Sequence, residues 1–266
     1  MKTSVIIPAA GTGSRMGAVK QFMLLKGKPV LAQTISVFEN HEEVDEIILA
    51  LPKNFKDLID QKDLIDQKDL MEQKDLIDQK DLMEQILIDQ KNLMDQISLN
   101  DFKKIKAVVE GGPSRQDTCW SCLKSLGPDV AYVLIHDGVR PLVTRQVISD
   151  ILAKVRQGYP AVSGVISKDT IKITNQDGII KSTPPRENTW QVQTPQGFPI
   201  HIIKEAHLRA QEEGFVGTDD AMLVERMGIE VRMVKGDYSN IKLTTPEDIY
   251  VAEAILQDAI LRDAGT

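Results

Sequence analysis

Short apolar runs rich in β-branched residues alternate with segments of helical character along most of the chain. Such runs suit strands buried on both faces, and an intervening helix lets successive strands lie parallel. The alternation therefore predicts an α/β fold, a Rossmann-like and mostly parallel sheet covered by helices. The predicted strands are 5–7, 46–51, 107–109, 132–135, 161–165 and 230–234, and the predicted helices are 30–38, 114–126, 145–157, 200–213 and 246–261, with a further helix opening at residues 217–221.

A hexapeptide repeat interrupts this alternation between residues 56 and 96. The unit Lys-Asp-Leu-Ile-Asp-Gln, with Met-Glu for Ile-Asp in two copies, occurs five times over residues 56–85, and a shortened and a final copy follow. Six residues advance an α-helix by about 600°, so successive apolar pairs point in three directions and form no single apolar face. We predict a solvated helix or helical hairpin, inserted into one domain of residues 1–266. A partner-binding assembly arm is the alternative.

The charge and hydropathy of the chain exclude two classes of partner. The repeat holds 6 Lys against 12 Asp and Glu, so it carries most of the net charge of −7. The remainder is close to neutral and has no basic stripe of the kind that binds nucleic acid. The apolar run at residues 5–7 ends at Pro8, too short for a signal peptide, and no stretch reaches the roughly 18–20 apolar residues of a membrane span. We expect a cytoplasmic protein with no membrane partner.

Two cysteines, Cys119 and Cys122, form the chain's complement of thiols. Their spacing suits half a zinc site or a redox pair, but a structural zinc needs four ligands and no second pair exists. No thioredoxin-like βαβ pattern surrounds them either. We predict that they are small apolar side chains packed on a helix.

Residues 166–185 break the alternation of strand and helix. Residues 170–174 alternate apolar and polar side chains, Asn175 to Gly178 supply turn chemistry, residues 179–182 lead back, and two prolines follow. This order predicts a protruding β-hairpin.

The first strand runs into a glycine-rich loop, Pro8-Ala9-Ala10-Gly11-Thr12-Gly13-Ser14-Arg15-Met16-Gly17. Small residues after a strand let backbone amides approach phosphates closely. A P-loop would need Gly-Lys-Ser/Thr at its end, and a dinucleotide fingerprint a third glycine where Met16 stands. A nucleotidyltransferase loop needs neither, and Arg15 and Lys20 are placed to contact a nucleoside triphosphate.

A second chemical signal follows the strand of residues 132–135, in His136-Asp137-Gly138-Val139-Arg140-Pro141. Ligands of open α/β sheets lie beyond the carboxyl ends of the strands. There, Asp137 is placed to hold Mg²⁺ on a triphosphate and Arg140 to bind a phosphate. For His136 we expect a packed or loop histidine.

Further motifs complete the pattern: KQF at 20–22, GGPSRQDT at 111–118, KDTIK at 168–172, TPQGF at 194–198, TDDAMLVE at 218–225 and NIKLTTPED at 240–248. With PAAGTGSRMG and HDGVRP, in this order and spacing, the chain resembles the 2-C-methyl-D-erythritol 4-phosphate cytidylyltransferase family over all but residues 56–96. Removing the repeat leaves roughly the length of an ordinary member.

The resemblance implies a nucleotidyltransferase fold, a homodimer and a β-arm, here residues 166–185, that reaches the neighbouring subunit. It implies Mg²⁺ as cofactor, with Asp137 as a ligand. The residues implied to contact CTP are Ala9, Ala10, Gly11, Gly112 and Thr118. Those implied to stabilise the transition state are Arg15 and Lys20, and those implied to position the methylerythritol phosphate are Arg186 and Lys242. Asp137, Arg140 and Thr170 would complete the sugar-phosphate surroundings.

The sequence leaves three points open. Ser239 stands where some members of the family carry an acid, so a second metal ligand is not identified. A ribitol-5-phosphate cytidylyltransferase shares much of the motif set and is the closest alternative. A non-catalytic assembly protein that works through its repeat is the alternative from another class.

Overall fold

The computed structural model describes residues 1–11, 23–52 and 99–264 of the 266-residue chain. The described strands are β1 (Lys2–Pro8), β2 (Leu24–Leu25), β3 (Lys28–Pro29), β4 (Glu46–Leu51), β5 (Ile105–Glu110), β6 (Val130–Ile135), β7 (Ala161–Ile166), β8 (Ile173–Thr174), β9 (Ile180–Ser182), β10 (Trp190–Pro199) and β11 (Arg232–Lys235). The described helices are α1 (Val30–Glu39), α2 (Arg115–Ser125), α3 (Arg145–Arg156), α4 (Ile200–Glu212), α5 (Asp220–Arg226) and α6 (Pro246–Ala264). Arg15, Lys20 and the predicted helical repeat of residues 56–96 lie outside the described residues.

Within these ranges, seven strands form one sheet in the order β11-β7-β10-β6-β1-β4-β5. β1 pairs in parallel with β4 and β6, β4 with β5, and β7 with β11. The predicted α/β fold with a mostly parallel sheet is therefore confirmed. The chain leaves β1 towards β4 and leaves β6 towards β7, so the connections diverge between β1 and β6. A crevice at such a point is where open α/β sheets bind ligands.

Helices cover both faces of the sheet, which is why the strands are apolar on both sides. Val5 and Ile7 point into a core with α1 and α3. Ile6 points the other way, into a core with α2, α4 and α5. All three side chains are fully buried. Burying each of these side chains stabilises the fold by roughly 1.5–3 kcal/mol relative to leaving it exposed.

The two cysteines belong to the second core, as predicted. Cys119 and Cys122 are buried free thiols on α2, one turn apart. Burial raises the pKa of Cys122 to about 12 and raises that of Cys119 as well. Thiols of this kind stay protonated and act as small apolar side chains.

β10 is the sheet strand that the sequence pattern did not predict. It runs antiparallel between β6 and β7, although it contains Pro195 and Gly197. Its pairing with β7 shifts register between Val192 and Gln196, which accommodates the proline. A Cβ on Gly197 would lie 2.5 Å from Ile151 Cγ2, so glycine at this position lets α3 pack against the sheet.

A hairpin lies within the predicted range of residues 166–185, but it is shorter, because Ile166 still belongs to β7 and the hairpin strands are only β8 and β9. β8 and β9 pair antiparallel through Ile173 with Ser182 and Thr174 with Ile180. In the turn, Asn175 Oδ1 accepts a hydrogen bond from the Ile179 amide (2.8 Å), and Gly178 has a φ of 77° that glycine adopts without strain.

Helix α6 packs against the segment of chain that precedes it. It begins at Pro246, as predicted, and the Asp248 carboxylate accepts hydrogen bonds from the Thr244 and Thr245 amides. Ala252 of α6 packs with Leu243 in a small separate core. Of the helices in the described ranges, none is long and apolar enough to cross a membrane.

Candidate active site

The carboxyl ends of β1 and β6 lie side by side, at the point where the connections diverge. A Cβ on Gly138, just after β6, would lie 3.1 Å from the Cβ of Ala9, just after β1. A Cβ on Gly111, after β5, would lie 2.0 Å from the Cβ of Ala10. Only glycine fits at residue 111 while the loop keeps its position. The loops after three strands therefore meet at one edge of the sheet, and Gly11 lies at the limit of the described segment there.

Gly112 and Thr118 lie together at the N-terminus of α2. The Gly112 amide donates to Thr118 Oγ1 (3.0 Å), and that hydroxyl donates to the Ser114 carbonyl (2.9 Å). Ser114 and Asp117 form a capping box. A Cβ on Gly112 would lie 2.5 Å from the Asp117 Cβ, so the loop is pressed against the helix. These contacts fix the loop beside Ala10.

Asp137 is the buried centre of a cluster of ion pairs. Lys242 Nζ lies 2.8 Å from Asp137 Oδ2, and Arg140 Nε lies 3.6 Å from the same oxygen. Arg115 Nε lies 3.5 Å from the other oxygen, Oδ1. The Asp137 residue is only 8% exposed. Burial alone would raise its pKa, but Arg115, Lys242 and Arg140 outweigh that effect and hold the pKa of Asp137 below its usual range.

Lys242 reaches Asp137 because β10 holds its segment of chain. The fully buried Asn240 donates from Nδ2 to the Thr194 carbonyl of β10 (2.8 Å). Arg140 donates to the Asn240 carbonyl (2.7 Å), and the Leu243 amide donates to the Val139 carbonyl (2.9 Å). The motif at residues 240–248 is thereby bound to the loop after β6.

His136 is a packed histidine, as expected. Its Nε2 lies 3.0 Å from the Arg140 carbonyl and its Nδ1 lies 3.1 Å from Thr194 Oγ1, which also accepts from the Asp137 amide. A carbonyl can only accept, so Nε2 carries the proton and Nδ1 accepts from the Thr194 hydroxyl. Burial lowers the pKa of His136 to about 4. The neutral ring therefore orients the loop that carries Asp137.

Two charged residues of the cluster were quoted in motifs but given no role by the sequence. Arg115 NH1 lies 2.6 Å from Asp220 Oδ2, and His207 Nε2 lies 3.1 Å from Asp220 Oδ1. Arg115, Asp220 and His207 come from α2, α5 and α4, respectively, and meet only in the folded chain. Because no local spacing connects them, the signal that could have found Arg115 and Asp220 is their place within the motifs GGPSRQDT and TDDAMLVE, and His207 lies in neither motif.

Thr170 and Arg186 lie together at the base of the hairpin. Arg186 NH2 donates to Thr170 Oγ1 (3.1 Å), and both side chains are exposed. Among the described residues, neither forms an ion pair with the Asp137 cluster. The structure therefore brings Lys242, Arg140 and Asp137 into one group and Thr170 and Arg186 into another.

Of the two carboxylates in this cluster, Asp137 follows β6 at the edge of the sheet where ligands bind, whereas Asp220 is 1% exposed and is held by Arg115 and His207. Within residues 1–11, 23–52 and 99–264, no group of three or more His, Cys, Asp or Glu side chains is arranged to hold a metal. Mg²⁺ needs no such group, because it keeps several waters and binds through one or two carboxylates plus substrate phosphates. The residues present fit Mg²⁺ delivered with a nucleotide.

The comparisons with known proteins agree with this geometry. The family model for 2-C-methyl-D-erythritol 4-phosphate cytidylyltransferase matches residues 3–71 and 51–258. A protein of that name from Geobacter metallireducens is 38% identical over 265 residues, covering 98% of this chain and 100% of the relative. Another, from Geotalea uraniireducens, is 40% identical over 261 residues, covering 97% of each.

Solved structures resemble the fold as well. A 4-diphosphocytidyl-2C-methyl-D-erythritol synthase from Anaerococcus prevotii superposes with a TM-score of 0.73 at 31% identity, covering 96% of each chain. A 2-C-methyl-D-erythritol 4-phosphate cytidylyltransferase from Thermus thermophilus superposes with a TM-score of 0.67 at 28% identity, covering 97% of this chain and 100% of the other.

Proposed function

Because the chain belongs to the 2-C-methyl-D-erythritol 4-phosphate cytidylyltransferase family, we propose that it transfers CMP from CTP to 2-C-methyl-D-erythritol 4-phosphate. An acceptor phosphate oxygen forms a bond to the α-phosphorus of CTP, and the bond to the β-phosphate oxygen breaks. Pyrophosphate leaves, and 4-diphosphocytidyl-2-C-methyl-D-erythritol is the other product. The observation that carries this proposal is the Asp137 cluster, three cations around one carboxylate at the edge of the sheet.

The chemistry needs charge neutralisation more than proton transfer. The second pKa of a phosphate monoester is about 6, so most of the acceptor is a dianion at pH 7 and needs no general base. The barrier comes from bringing two anions together and from charge developing on the phosphoryl oxygens. Positioned cations lower such a barrier. Arg140 and Lys242 supply two of these cations. Arg15 and Lys20 are assigned the role of neutralising the charge on the triphosphate.

The nucleotide is assigned to the small-residue edge of the sheet. Ala9, Ala10 and Gly11 follow β1, and beside them Gly112 precedes α2 and Thr118 lies in its first turn. The close approach of residues 10 and 111 leaves a surface without large side chains, which suits a base and ribose. Mg²⁺ is assigned to Asp137, where it would neutralise triphosphate oxygens.

A homodimer is proposed with the hairpin as its arm. Ile173, Ile179 and Ile180 of the hairpin are each more than half exposed. A cluster of exposed isoleucines on a protruding hairpin suits burial against a second copy of the chain. Thr170 and Arg186 at its base would then act on the acceptor in the partner's site. We propose the cytoplasm as its location.

The alternatives are weaker. The similar proteins are named for methylerythritol phosphate, which favours this acceptor over ribitol 5-phosphate. Membership of an enzyme family disfavours an assembly protein that works through its repeat.

Pyrophosphate release tests the proposal. The protein is incubated with CTP and Mg²⁺ and with either 2-C-methyl-D-erythritol 4-phosphate or ribitol 5-phosphate. Release with the first acceptor alone is expected. Asp137→Asn is expected to lower the rate at least about 10²-fold, the usual cost of losing one preorganised charged group. Release with ribitol 5-phosphate alone, or with neither acceptor, would overturn the proposal.

A further inference from the structure

Arg115 lies between two buried carboxylates and is held unequally by them. Its NH1 lies 2.6 Å from Asp220 Oδ2, within a short charged hydrogen bond, whereas its Nε lies 3.5 Å from Asp137 Oδ1. The first distance is that of a charged hydrogen bond, and the second is that of a longer ion pair without a hydrogen bond. Asp220 therefore decides where the guanidinium sits.

Asp220 is fixed on its other side. Its residue is 1% exposed, and its Oδ1 accepts a hydrogen bond from His207 Nε2 (3.1 Å). The His207 ring is itself held by Trp120, whose ring stacks on it at a centroid distance of 5.9 Å. A carboxylate confined in this way gives Arg115 a rigid anchor at a distance from Asp137.

The position of Arg115 matters because Asp137 already has two other cations. Lys242 lies within hydrogen-bond distance of Oδ2 (2.8 Å), whereas the Arg115 Nε that faces Oδ1 lies 3.5 Å away, so Oδ1 is the less occupied oxygen. If Arg115 moved onto Oδ1, both oxygens would be neutralised by protein cations. A divalent cation would then have to displace one of them.

We propose that Asp220 is a positioning residue, which holds Arg115 away from Asp137 and so keeps Asp137 Oδ1 available to the divalent cation that accompanies CTP. The inference rests on the proposed function, since it assumes a CTP site with a divalent cation at Asp137. Asp220 touches neither substrate nor metal and acts through Arg115.

The test is the gain in CTP affinity that Mg²⁺ provides, measured without acceptor so that no turnover occurs. Isothermal titration calorimetry gives the Kd for CTP in EDTA and in saturating Mg²⁺, and the ratio is the gain. Asp220→Asn is expected to lower the gain at least about fivefold, the lower end of ordinary coupling between two sites. Its Kd for CTP in EDTA should be unchanged or tighter, because the site loses a negative charge.

Glu213→Gln is the matched control. Glu213 forms an exposed ion pair with Arg226 of α5, the helix that begins with Asp220, so its neutralisation removes a similar charge from the same region. The gain of this variant should equal that of the wild type. An Asp220→Asn protein that folds and keeps the wild-type gain would overturn the inference.

A double-mutant cycle separates positioning from a general effect of charge. If Asp220→Asn alone fails to fold, the comparison of Arg115→Gln with the double variant still tests for a direct effect of the Asp220 charge. Once Arg115 is replaced by Gln, Asp220 has nothing to position. Adding Asp220→Asn to Arg115→Gln should then leave the gain within about twofold of that of Arg115→Gln alone, since the two residues act as one unit. A further loss of several-fold in that background would overturn the inference in favour of a direct field effect.

The wild-type measurement keeps this inference distinct from the proposed function. If the wild type bound no CTP, the proposed function would fail. If it bound CTP with a clear gain from Mg²⁺ that Asp220→Asn did not reduce, only the positioning role would fail.

Discussion

Lys242 is the cation closest to Asp137 in the cluster, and the rate of the reaction is expected to depend on its charge. Its ammonium lies 2.8 Å from Asp137 Oδ2 while its side chain remains 43% exposed, so it can face both the carboxylate and an incoming phosphate. Replacing one preorganised charged donor usually costs 10²–10³-fold in turnover. Lys242→Ala is therefore expected to lower kcat/KM for the acceptor at least about 10²-fold, measured by initial rates of pyrophosphate release.

Lys235→Ala is the control for this change, because Lys235 is an exposed lysine of β11 outside the cluster. Its kcat/KM should stay within about twofold of the wild type. A Lys242→Ala enzyme with near-normal kcat/KM would remove Lys242 from the mechanism.

Arg15 and Lys20 carry the prediction that rests on the sequence alone. They follow the small residues 9–11 in the chain, and the family resemblance implies that they neutralise the charge on the triphosphate. Arg15→Ala or Lys20→Ala is expected to lower kcat at least about 10²-fold in the same assay. Normal turnover in either variant would exclude that residue from the role.

His136 makes the stability of the protein depend on pH. Burial lowers its pKa to about 4 in the folded chain, against about 6.5 in the unfolded chain. Between these values the unfolded state binds more protons, so stability falls as pH drops through this window, by up to about 1.4 kcal/mol per pH unit. The pKa values of Asp137 and Asp220 lie below their usual range, so both stay ionised here and do not mask the effect.

Urea unfolding at pH 7, 6 and 5 measures this dependence. The free energy of unfolding of His136→Gln is expected to fall less steeply with decreasing pH than that of the wild type. Equal slopes for the two proteins would mean that His136 is not held neutral in the folded state.

Among the secondary-structure elements, the sequence pattern worked best where strands are buried on both faces. β4 appeared with the predicted bounds, because five consecutive apolar residues follow Glu46 and all six residues are buried. β10 was missed because proline and glycine normally interrupt strands, and only its place between β6 and β7 compensates for them. That compensation comes from tertiary pairing, which no local pattern contains.

The hairpin of β8 and β9 carries a prediction about assembly. Ile180 is 57% exposed and pairs with Thr174 at the centre of the hairpin. Placing a charge there should prevent burial of the hairpin against a second copy, so Ile180→Asp is expected to shift the protein from dimer to monomer. Sedimentation velocity at several protein concentrations measures the shift.

Val216→Asp is the matched control, since Val216 is 73% exposed and lies outside the hairpin. It should sediment as the wild type does. A dimer that survives Ile180→Asp unchanged would show that the hairpin is not the dimerisation arm.

For the whole molecule, the sequence predicted the fold, and it named residues of a site whose role in binding and catalysis remains a prediction. Asp137 and Arg140 were named from their motif and Lys242 from the family resemblance, and the structure places the three in one cluster. The Arg115–Asp220–His207 group joins α2, α5 and α4 over long separations in sequence. Its assembly depends on how three helices pack on one face of the sheet.

The repeat is expected to be dispensable to the molecule as a whole. The family model matches the chain in two ranges that overlap at residues 51–71, where the repeat begins, which supports an insertion. Deleting residues 62–85, four complete copies, should leave kcat/KM and the sedimentation coefficient of the dimer close to those of the intact chain. Loss of the folded dimer after this deletion would show that the repeat is structural.

The most direct test of the central claim is the identity of the phosphorus compounds after reaction with CTP, Mg²⁺ and 2-C-methyl-D-erythritol 4-phosphate. ³¹P NMR follows them in one spectrum. We expect two coupled doublets of an unsymmetrical diphosphate, growing with the signal of pyrophosphate as the CTP and acceptor signals decline. A spectrum with CMP and pyrophosphate but an unchanged acceptor signal would contradict the account, because the α-phosphorus would then have been attacked by water.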